Sequence, residues 1–149
     1  MFLKPDTPED GLGTAVAVLM DEMSGKIVLS LDQRLDFQHW RLIGGRIKSR
    51  DFDPRRPFDG QLAAHNAIKT IVKRTIGLSF PLRYVAENQR GKSGALYVFA
   101  GMILHTMRIQ QPDNVPVQLR MFSDREILSS DQVLKRCKEA VEEALAWKG

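Results

Sequence analysis

Residues 60–86 contain four basic residues and no aspartate or glutamate. The four basic residues are Lys69, Lys73, Arg74 and Arg83. The whole chain has 22 basic and 18 acidic residues, so this one segment accounts for its net charge of +4. A local positive field of this kind attracts phosphates and other anions. These side chains are therefore candidate anion ligands, and the alternative is that they form a solvated basic face.

Most of this basic segment is predicted to be a helix over residues 61–76. Apolar and small residues recur there at three- and four-residue spacing, which is the pattern of one helix face. The recurring positions are Ala64, Ala67, Ile68, Ile71, Val72 and Thr75. Gly77 is expected to end the helix. This helix carries three of the four basic residues.

Predicted strands and turns make up most of the remaining chain. Strand patterns, either alternating or continuously apolar, cover residues 13–20, 26–33, 81–88, 94–104 and 117–123. The second strand is expected to return beside the first as a hairpin. Residues 48–60 are polar, contain two prolines and are predicted to form a loop. This segment is called the 48–60 loop below.

A second helix is predicted near the C-terminus. Ser129 and Gln132 stand three residues apart and resemble a capping box at its start. Its apolar stripe consists of Val133, Leu134, Cys137, Val141, Ala144 and Leu145. The order of elements predicts an α/β fold in which helices pack on a mixed sheet.

Length and composition fit one globular domain that spans residues 1–149. The chain is 43% hydrophobic and 27% charged, which is typical of an ordinary soluble protein. Its single cysteine, Cys137, excludes an intrachain disulfide and a cysteine-based metal site. No apolar run reaches the length of a membrane span. The N-terminal segment "MFLKPDTPEDGLG" has no apolar core of signal-peptide length. We therefore expect a cytoplasmic protein without a membrane partner.

Three local patterns, in this order along the chain, resemble the Nudix hydrolase family. "WRLIGGRI", residues 40–47, is similar to the family's tryptophan and Pro-Gly-Gly segment, with Ile43 in place of the proline. "TIGL", residues 75–78, resembles the end of the family's signature box. "VQLRMFSDREIL", residues 117–128, resembles a late strand that enters a short helix. The resemblance implies a Nudix-like α/β/α sandwich with a mixed, mostly antiparallel sheet.

The signature box of the resembling family can be placed on this sequence residue by residue. Gly45 matches its first glycine, and Asp51 stands where its first glutamate belongs. The spacing that follows is longer than in the family because of the 48–60 loop. Within the helix, the matched positions are Thr70, Ile71, Arg74, Thr75 and Gly77. Thr70 replaces the arginine of the box, and Ile71, Arg74 and Thr75 replace its three helix glutamates.

In the resembling family those helix glutamates hold a divalent metal on the substrate diphosphate. Mg²⁺ needs oxygen ligands, and carboxylates balance its charge. Isoleucine offers no ligand. An arginine repels a cation by roughly 4 kcal/mol at 4 Å and an effective dielectric of 20. No helix register can restore a carboxylate, because residues 60–86 contain none. We therefore expect no catalytic residues, no metal and no cofactor, and Mg²⁺ or Mn²⁺ only if the chain is a divergent hydrolase.

The sequence leads to one main functional hypothesis and two alternatives. The main hypothesis is a Nudix-fold protein that does not hydrolyse diphosphates and binds a nucleotide, RNA or another phosphate-bearing ligand through its basic helix. The first alternative is a divergent nucleoside diphosphate pyrophosphohydrolase. It would use Asp51, Asp53 or Asp59 as substitute metal ligands, although acids beside prolines and glycine are expected to be turn residues. The second alternative is a scaffold for a protein partner or a homodimer.

Aromatic residues and histidines near the box are weaker candidates. Trp40 and Phe37 could stack on a base at the mouth of the cleft, although such aromatics more often pack in a core or at its rim. His39, His65 and His105 show no paired metal-ligand spacing and are expected to be structural or exposed.

Overall fold

The computed structural model describes residues 12–32, 39–77, 79, 81–89, 94–103 and 117–146. Six strands lie in this part of the chain: β1 (Thr14–Asp21), β2 (Ile27–Asp32), β3 (Arg41–Arg46), β4 (Arg83–Gln89), β5 (Ala95–Ile103) and β6 (Val117–Phe122). The α-helices are α1 (Gly60–Ile76), α2 (Asp124–Ser129) and α3 (Lys135–Ala146). The predicted strands and both predicted helices are thus confirmed. The predicted strand ends at Gln33 and Leu104, and the box position Leu78, lie outside the described residues.

The six strands form one mixed sheet in the order β4-β5-β1-β3-β2-β6. β1 pairs in parallel with β5 along its whole length, whereas the other pairings are antiparallel. Residues 15–19 of β1 are buried on both faces of the sheet, which explains their continuous apolar run. The expected mixed, mostly antiparallel sheet is confirmed.

The hairpin predicted for the first two strands is only partly formed. β1 and β2 pair at one position, Met20 with Ile27, because β3 lies between them over most of their length. Gly44 makes this insertion possible. A Cβ atom there would collide with the carbonyl oxygen of Ala15 and lie 2.8 Å from Cγ1 of Val16. The sequence pattern identified two strands that follow each other, but it could not show that a third would separate them.

Each face of the sheet is covered by a helix and has its own hydrophobic core. On one face, α1 packs its buried residues against alternate residues of β1, β3 and β5. On the other face, α3 buries Cys137, Ala140, Val141 and Ala144. This alternation follows from the two-residue period of strands, which sends successive side chains to opposite faces. The α/β/α sandwich is therefore confirmed.

The capping box expected at Ser129 and Gln132 is wrong. It lies instead at the start of α2, where the Ser123 hydroxyl accepts from the N–H of Glu126 at 3.2 Å. The Glu126 carboxylate accepts from the N–H of Ser123 at 2.9 Å. Ser129 ends α2, and α3 begins only at Lys135. The residues between the two helices pair with the start of β3 instead: the N–H of Trp40 donates to the carbonyl of Gln132 at 2.7 Å.

No helix in the described ranges has the length and apolar character that a membrane span requires.

Candidate functional site: a basic cleft between β3 and α1

Helix α1 is fixed at both ends by groups that the sequence provides locally. At its start, the Asp59 carboxylate accepts from the N–H of Leu62 at 3.0 Å, so one free helix donor is satisfied. At its end, Gly77 adopts φ 86° and its N–H donates to the carbonyl of Lys73 at 2.8 Å. A left-handed φ of this kind suits glycine because glycine has no Cβ. The predicted stop at Gly77 is confirmed.

A cleft of about 250 Å³ opens between the end of β3, the first part of the 48–60 loop and the middle of α1. Its lining residues are Gly44, Gly45, Arg46, Lys48, Arg50, Asp51, Ala67, Thr70, Ile71 and Arg74. We call it the β3–α1 cleft. Five of the positions matched to the signature box from sequence therefore lie around one cavity, although the 48–60 loop separates them in the chain.

Ile71 packs on Gly45 at the floor of this cleft. A Cβ atom on Gly45 would lie 3.0 Å from Cδ1 of Ile71, so the end of the isoleucine side chain contacts the strand at this glycine. Thr70 donates its hydroxyl to the carbonyl of Asn66 at 3.1 Å. The helix thus presents to the cleft a methyl group, a hydroxyl already engaged with the backbone and, one turn on, the guanidinium of Arg74.

The 48–60 loop begins with a short turn that is tied to α1. The Asp51 carboxylate accepts from the N–H of Lys48 at 2.8 Å, and the N–H of Asp51 donates to the carbonyl of Lys48 at 2.9 Å. The side-chain amide of Asn66 donates to the carbonyl of Asp51 at 2.9 Å. Residues 49–51 form one turn of 3₁₀ helix within this predicted loop. These bonds hold Lys48 and Arg50 beside the helix.

Positive charge dominates the lining of the β3–α1 cleft. Four basic residues, Arg46, Lys48, Arg50 and Arg74, share it with a single carboxylate, that of Asp51. One oxygen of that carboxylate is already engaged by the backbone of its own turn. Basic side chains with few counter-charges make such a cavity attractive to an anion and unfavourable for a cation.

The residues around this cleft do not fit a divalent metal. The other acids of the 48–60 loop are used locally, as expected of turn residues: Asp53 accepts from the N–H of Arg55 at 2.9 Å, and Asp59 caps α1. Neither lines the β3–α1 cleft. Within the described ranges, no group of three or more His, Cys, Asp or Glu residues could hold a metal ion.

Several predicted ligand residues lie away from the cleft lining. Lys69 and Lys73 are exposed on α1 but do not line the cavity, and Arg83 is exposed at the start of β4, at the far edge of the sheet. Thr75 is half-buried outside the lining. Of the predicted anion ligands, Arg74 alone lies in the cleft.

Trp40 belongs to the hydrophobic core on the opposite face of the sheet. Its side chain is only 8% exposed and packs edge-on against Phe122, with ring centroids 5.0 Å apart. It therefore does not line the β3–α1 cleft, and the core-packing alternative describes its position. Phe37 and His105 lie outside the described residues.

Three basic residues of the cleft were not among the sequence candidates: Arg46, Lys48 and Arg50. A signal for them was present. Residues 46–56 contain five basic and two acidic residues, which is a local excess of three positive charges. This local excess does not show in the charge count, because the basic and acidic residues outside residues 60–86 sum to zero.

A second cavity, of about 420 Å³, lies between the first half of α1 and strands β4 and β5. The His65 ring stacks on Phe99 with centroids 5.4 Å apart, and Tyr84 meets Phe99 edge-on. Burial lowers the pKa of His65 below its usual 6.5, and the nearby Lys69 ammonium lowers it further. At neutral pH this histidine is therefore uncharged, as expected of a structural histidine.

Several solved structures with the same architecture are Nudix hydrolases by name. A NUDIX hydrolase from Nitrosomonas europaea has a TM-score of 0.65 at 16% identity, covering 90% of this chain and 88% of its own. The MutT protein from Methanosarcina mazei Go1 has a TM-score of 0.61 at 12% identity, covering 91% of this chain and 95% of its own. The C-terminal domain of mouse MUTYH, solved in complex with human PCNA, has a TM-score of 0.64 at 13% identity. The match covers 90% of this chain and 87% of that one.

No protein-family model matches the sequence, and no curated protein matches it. The likeness is therefore one of structure. The chain has the fold of the Nudix hydrolases, as the sequence resemblance predicted.

Proposed function

We propose that this protein binds a phosphate-bearing ligand in the β3–α1 cleft without hydrolysing it. The observation that carries the proposal is the convergence of four cationic side chains, from β3, the 48–60 loop and α1, on one cavity. In the resembling family, the helix that lines this cleft carries carboxylates that hold a metal. Here the protein's own cations would meet the phosphate directly.

Arginine suits this role because its planar guanidinium donates two parallel hydrogen bonds to a phosphate. Arg50 and Arg74 come from different elements, so they can approach one phosphate group from two sides. The hydrogen-bonded turn at Lys48 and Asp51 pre-organises one of them. Because that turn is already ordered, less conformational entropy is lost when the ligand binds.

Hydrolysis is not part of the proposal. Metal catalysis of diphosphate cleavage requires an ion that polarises the phosphoryl group and generates the attacking hydroxide. The cleft lining offers Ile71 and Arg74 where such an ion would need carboxylates. The divergent-hydrolase alternative would need Asp51 or Asp53 as a ligand, and one carboxylate oxygen of each already accepts a local backbone N–H.

A scaffold role is the second candidate, and one observation favours it. The C-terminal domain of mouse MUTYH has this fold and was solved in complex with a protein, human PCNA. A similar use of this chain, with a protein partner or a second copy of itself, would leave the β3–α1 cleft without a ligand. Binding measurements on the cleft therefore distinguish the two functions.

The test is calorimetric titration with pyrophosphate and with ADP, without metal, at two salt concentrations. The variants Arg50→Gln and Arg74→Gln remove one cleft cation each, and Arg136→Gln removes an exposed cation on α3, across the sheet, as a matched control. We expect binding that weakens with salt, since exposed charges are screened over about 10 Å at 0.1 M. Each cleft variant should bind at least several-fold more weakly, and the control should bind normally.

The same preparations are assayed for phosphate release from nucleoside diphosphate derivatives with Mn²⁺. We expect no release above background. Robust turnover would overturn the non-hydrolytic proposal. No binding of either ligand at low salt would overturn the anion-binding proposal and favour the scaffold.

A further inference from the structure

We propose that the phosphate-bearing ligand is a single-stranded nucleic acid, whose backbone follows the basic cleft onto the 48–60 loop and one of whose bases stacks on Phe58. This inference rests on the proposed function and names its ligand class. The observations that carry it are the exposure of Phe58 and the continuation of positive charge along the loop.

Phe58 is a phenylalanine with 96% of its surface exposed, the most exposed of the large hydrophobic side chains that the structure describes. Its backbone is held between hydrogen bonds on both sides. The N–H of Arg56 donates to the carbonyl of Asp53 at 2.8 Å, and the N–H of Asp59 donates to the carbonyl of Arg56 at 3.2 Å. Asp59 is in turn fixed as the N-cap of α1. The ring is therefore presented to solvent from an ordered loop.

Cations precede this ring in the chain and connect it to the cleft. Arg56 and Arg55 lie two and three positions before Phe58. The Arg55 side chain is 92% exposed, and its Nε lies 3.8 Å from Oδ1 of Asp53. Lys48 and Arg50 begin the same loop and line the β3–α1 cleft. One continuous segment of chain thus carries basic residues from the cavity to the exposed aromatic ring.

This combination matches a single strand better than the other phosphate ligands. Proteins that bind single strands without sequence preference pair a positively charged groove with aromatic rings on which bases stack. A duplex hides the faces of its bases, and pyrophosphate has none. A mononucleotide offers one base and one phosphate cluster, whereas a strand repeats both and can engage the cleft cations and Phe58 together.

The experiment measures fluorescence anisotropy of labelled twelve-nucleotide oligo(U) and oligo(dT), with unlabelled UMP and a duplex of equal length as competitors. Phe58→Ala removes the ring, Phe58→Trp keeps an aromatic face, and Met23→Ala is a matched control. Met23 is 72% exposed in the turn between β1 and β2. Circular dichroism checks that each variant is folded, which we expect because both side chains are exposed.

We expect the oligonucleotides to bind at least tenfold more tightly than UMP and than the duplex. Phe58→Ala should weaken oligonucleotide binding about tenfold, consistent with the contribution of one stacked base, and Phe58→Trp and Met23→Ala should not. Pyrophosphate binding should be the same in Phe58→Ala as in the wild type. The double change Arg55→Gln and Arg56→Gln should reduce the salt dependence of oligonucleotide binding.

The outcomes separate this inference from the proposed function. If pyrophosphate binds through Arg50 and Arg74 but oligonucleotides bind no tighter than UMP, the inference fails and the proposed function stands. Unchanged oligonucleotide binding in Phe58→Ala, or equal affinity for the duplex, also overturns it. If neither pyrophosphate nor oligonucleotide binds at low salt, both fail and Phe58 becomes a candidate for a protein contact.

Discussion

At the scale of single residues, helix α1 packs its apolar positions on the sheet and contains no acidic residue. Ile71 packs on Gly45 where the helix contacts strand β3, and Gly77 ends the helix. Arg74 lies in the same cavity, with a charge opposite to that of a metal ligand. The helix can therefore pack and end as the fold requires without carrying the acidic residues that metal binding requires.

The two glycines of the pair on β3 should respond differently to a methyl group. Gly44→Ala would force its Cβ into the backbone of Ala15, and overpacking of this kind costs about 1–3 kcal/mol of unfolding free energy. Gly45→Ala would contact only the end of the Ile71 side chain, which can rotate, so its cost should be smaller. Urea unfolding measures both. Equal losses would show that β3 does not approach β1 as closely as described.

His65 should titrate below the usual histidine pKa of 6.5, because burial disfavours its charged form. In the unfolded chain it takes up a proton near pH 6.5, and in the folded protein only at lower pH. Its contribution to stability is therefore constant above pH 6.5 and is lost as pH falls from 6.5 through the folded-state pKa. Lys69→Gln should raise the pKa without restoring 6.5, since burial is the larger cause.

The measurement is an NMR titration of the His65 ring protons in the wild type and in Lys69→Gln, with Lys73→Gln as a control on the same helix. A wild-type pKa at or above 6.5 would contradict the stacked, half-buried position of the ring on Phe99.

At the scale of elements, α1 depends on its caps as well as on its apolar face. Asp59→Ala removes the carboxylate that accepts from the N–H of Leu62, and the loss of such a cap typically costs about 1 kcal/mol. Asp59→Asn keeps an acceptor and should cost much less. Thermal unfolding of the two variants tests this. If both are destabilised equally, the charge of Asp59 and not its hydrogen bond stabilises the helix.

The 48–60 loop links strand, turn and helix into one unit. Its first turn bonds to α1 through Asn66, and its last residues cap the same helix. The loop is therefore tied to α1 at both ends, and its first turn holds Lys48 and Arg50 beside the cleft. A loop that served only to connect β3 to α1 would not need hydrogen bonds to the helix at both of its ends.

At the scale of the whole molecule, the sandwich assigns different roles to its two faces. The face under α3 holds Trp40 and Cys137 in a closed core, and the face under α1 carries the β3–α1 cleft. Burial also raises the pKa of the Cys137 thiol, which keeps it protonated and unreactive. The β3–α1 cleft therefore lies on the face of the sheet opposite to Trp40 and Cys137.

Divalent metal should not bind at α1, because the cleft it would enter is lined by four cations and one engaged carboxylate. Crystals soaked in millimolar Mn²⁺ should show no anomalous peak within ligand distance of residues 70–75. The triple change Ile71→Glu, Arg74→Glu and Thr75→Glu restores the carboxylates and is expected to gain Mn²⁺ binding. A peak in the wild type would overturn the assignment of these box positions.

The sequence by itself determined most of the elements and one chemical fact. Strand and helix periods and the Gly77 stop predicted five of the six strands in the described ranges and both long helices, because these signals act between residues that are near in the chain. The Nudix-like sandwich was implied by the order of elements together with three local patterns that resemble the family. The absence of acids in residues 60–86 holds for any helix register. It therefore needed no structure.

Only the tertiary structure decided which residues meet. Trp40 and Gly45 lie on opposite faces of the sheet because side chains alternate along β3 and its register against β1 fixes the alternation. Arg50 and Arg74 line one cavity, and Asn66 ties the loop to the helix there. These placements depend on contacts between residues distant in sequence. No local pattern encodes such contacts, so the basic cleft became visible only when the chain was folded.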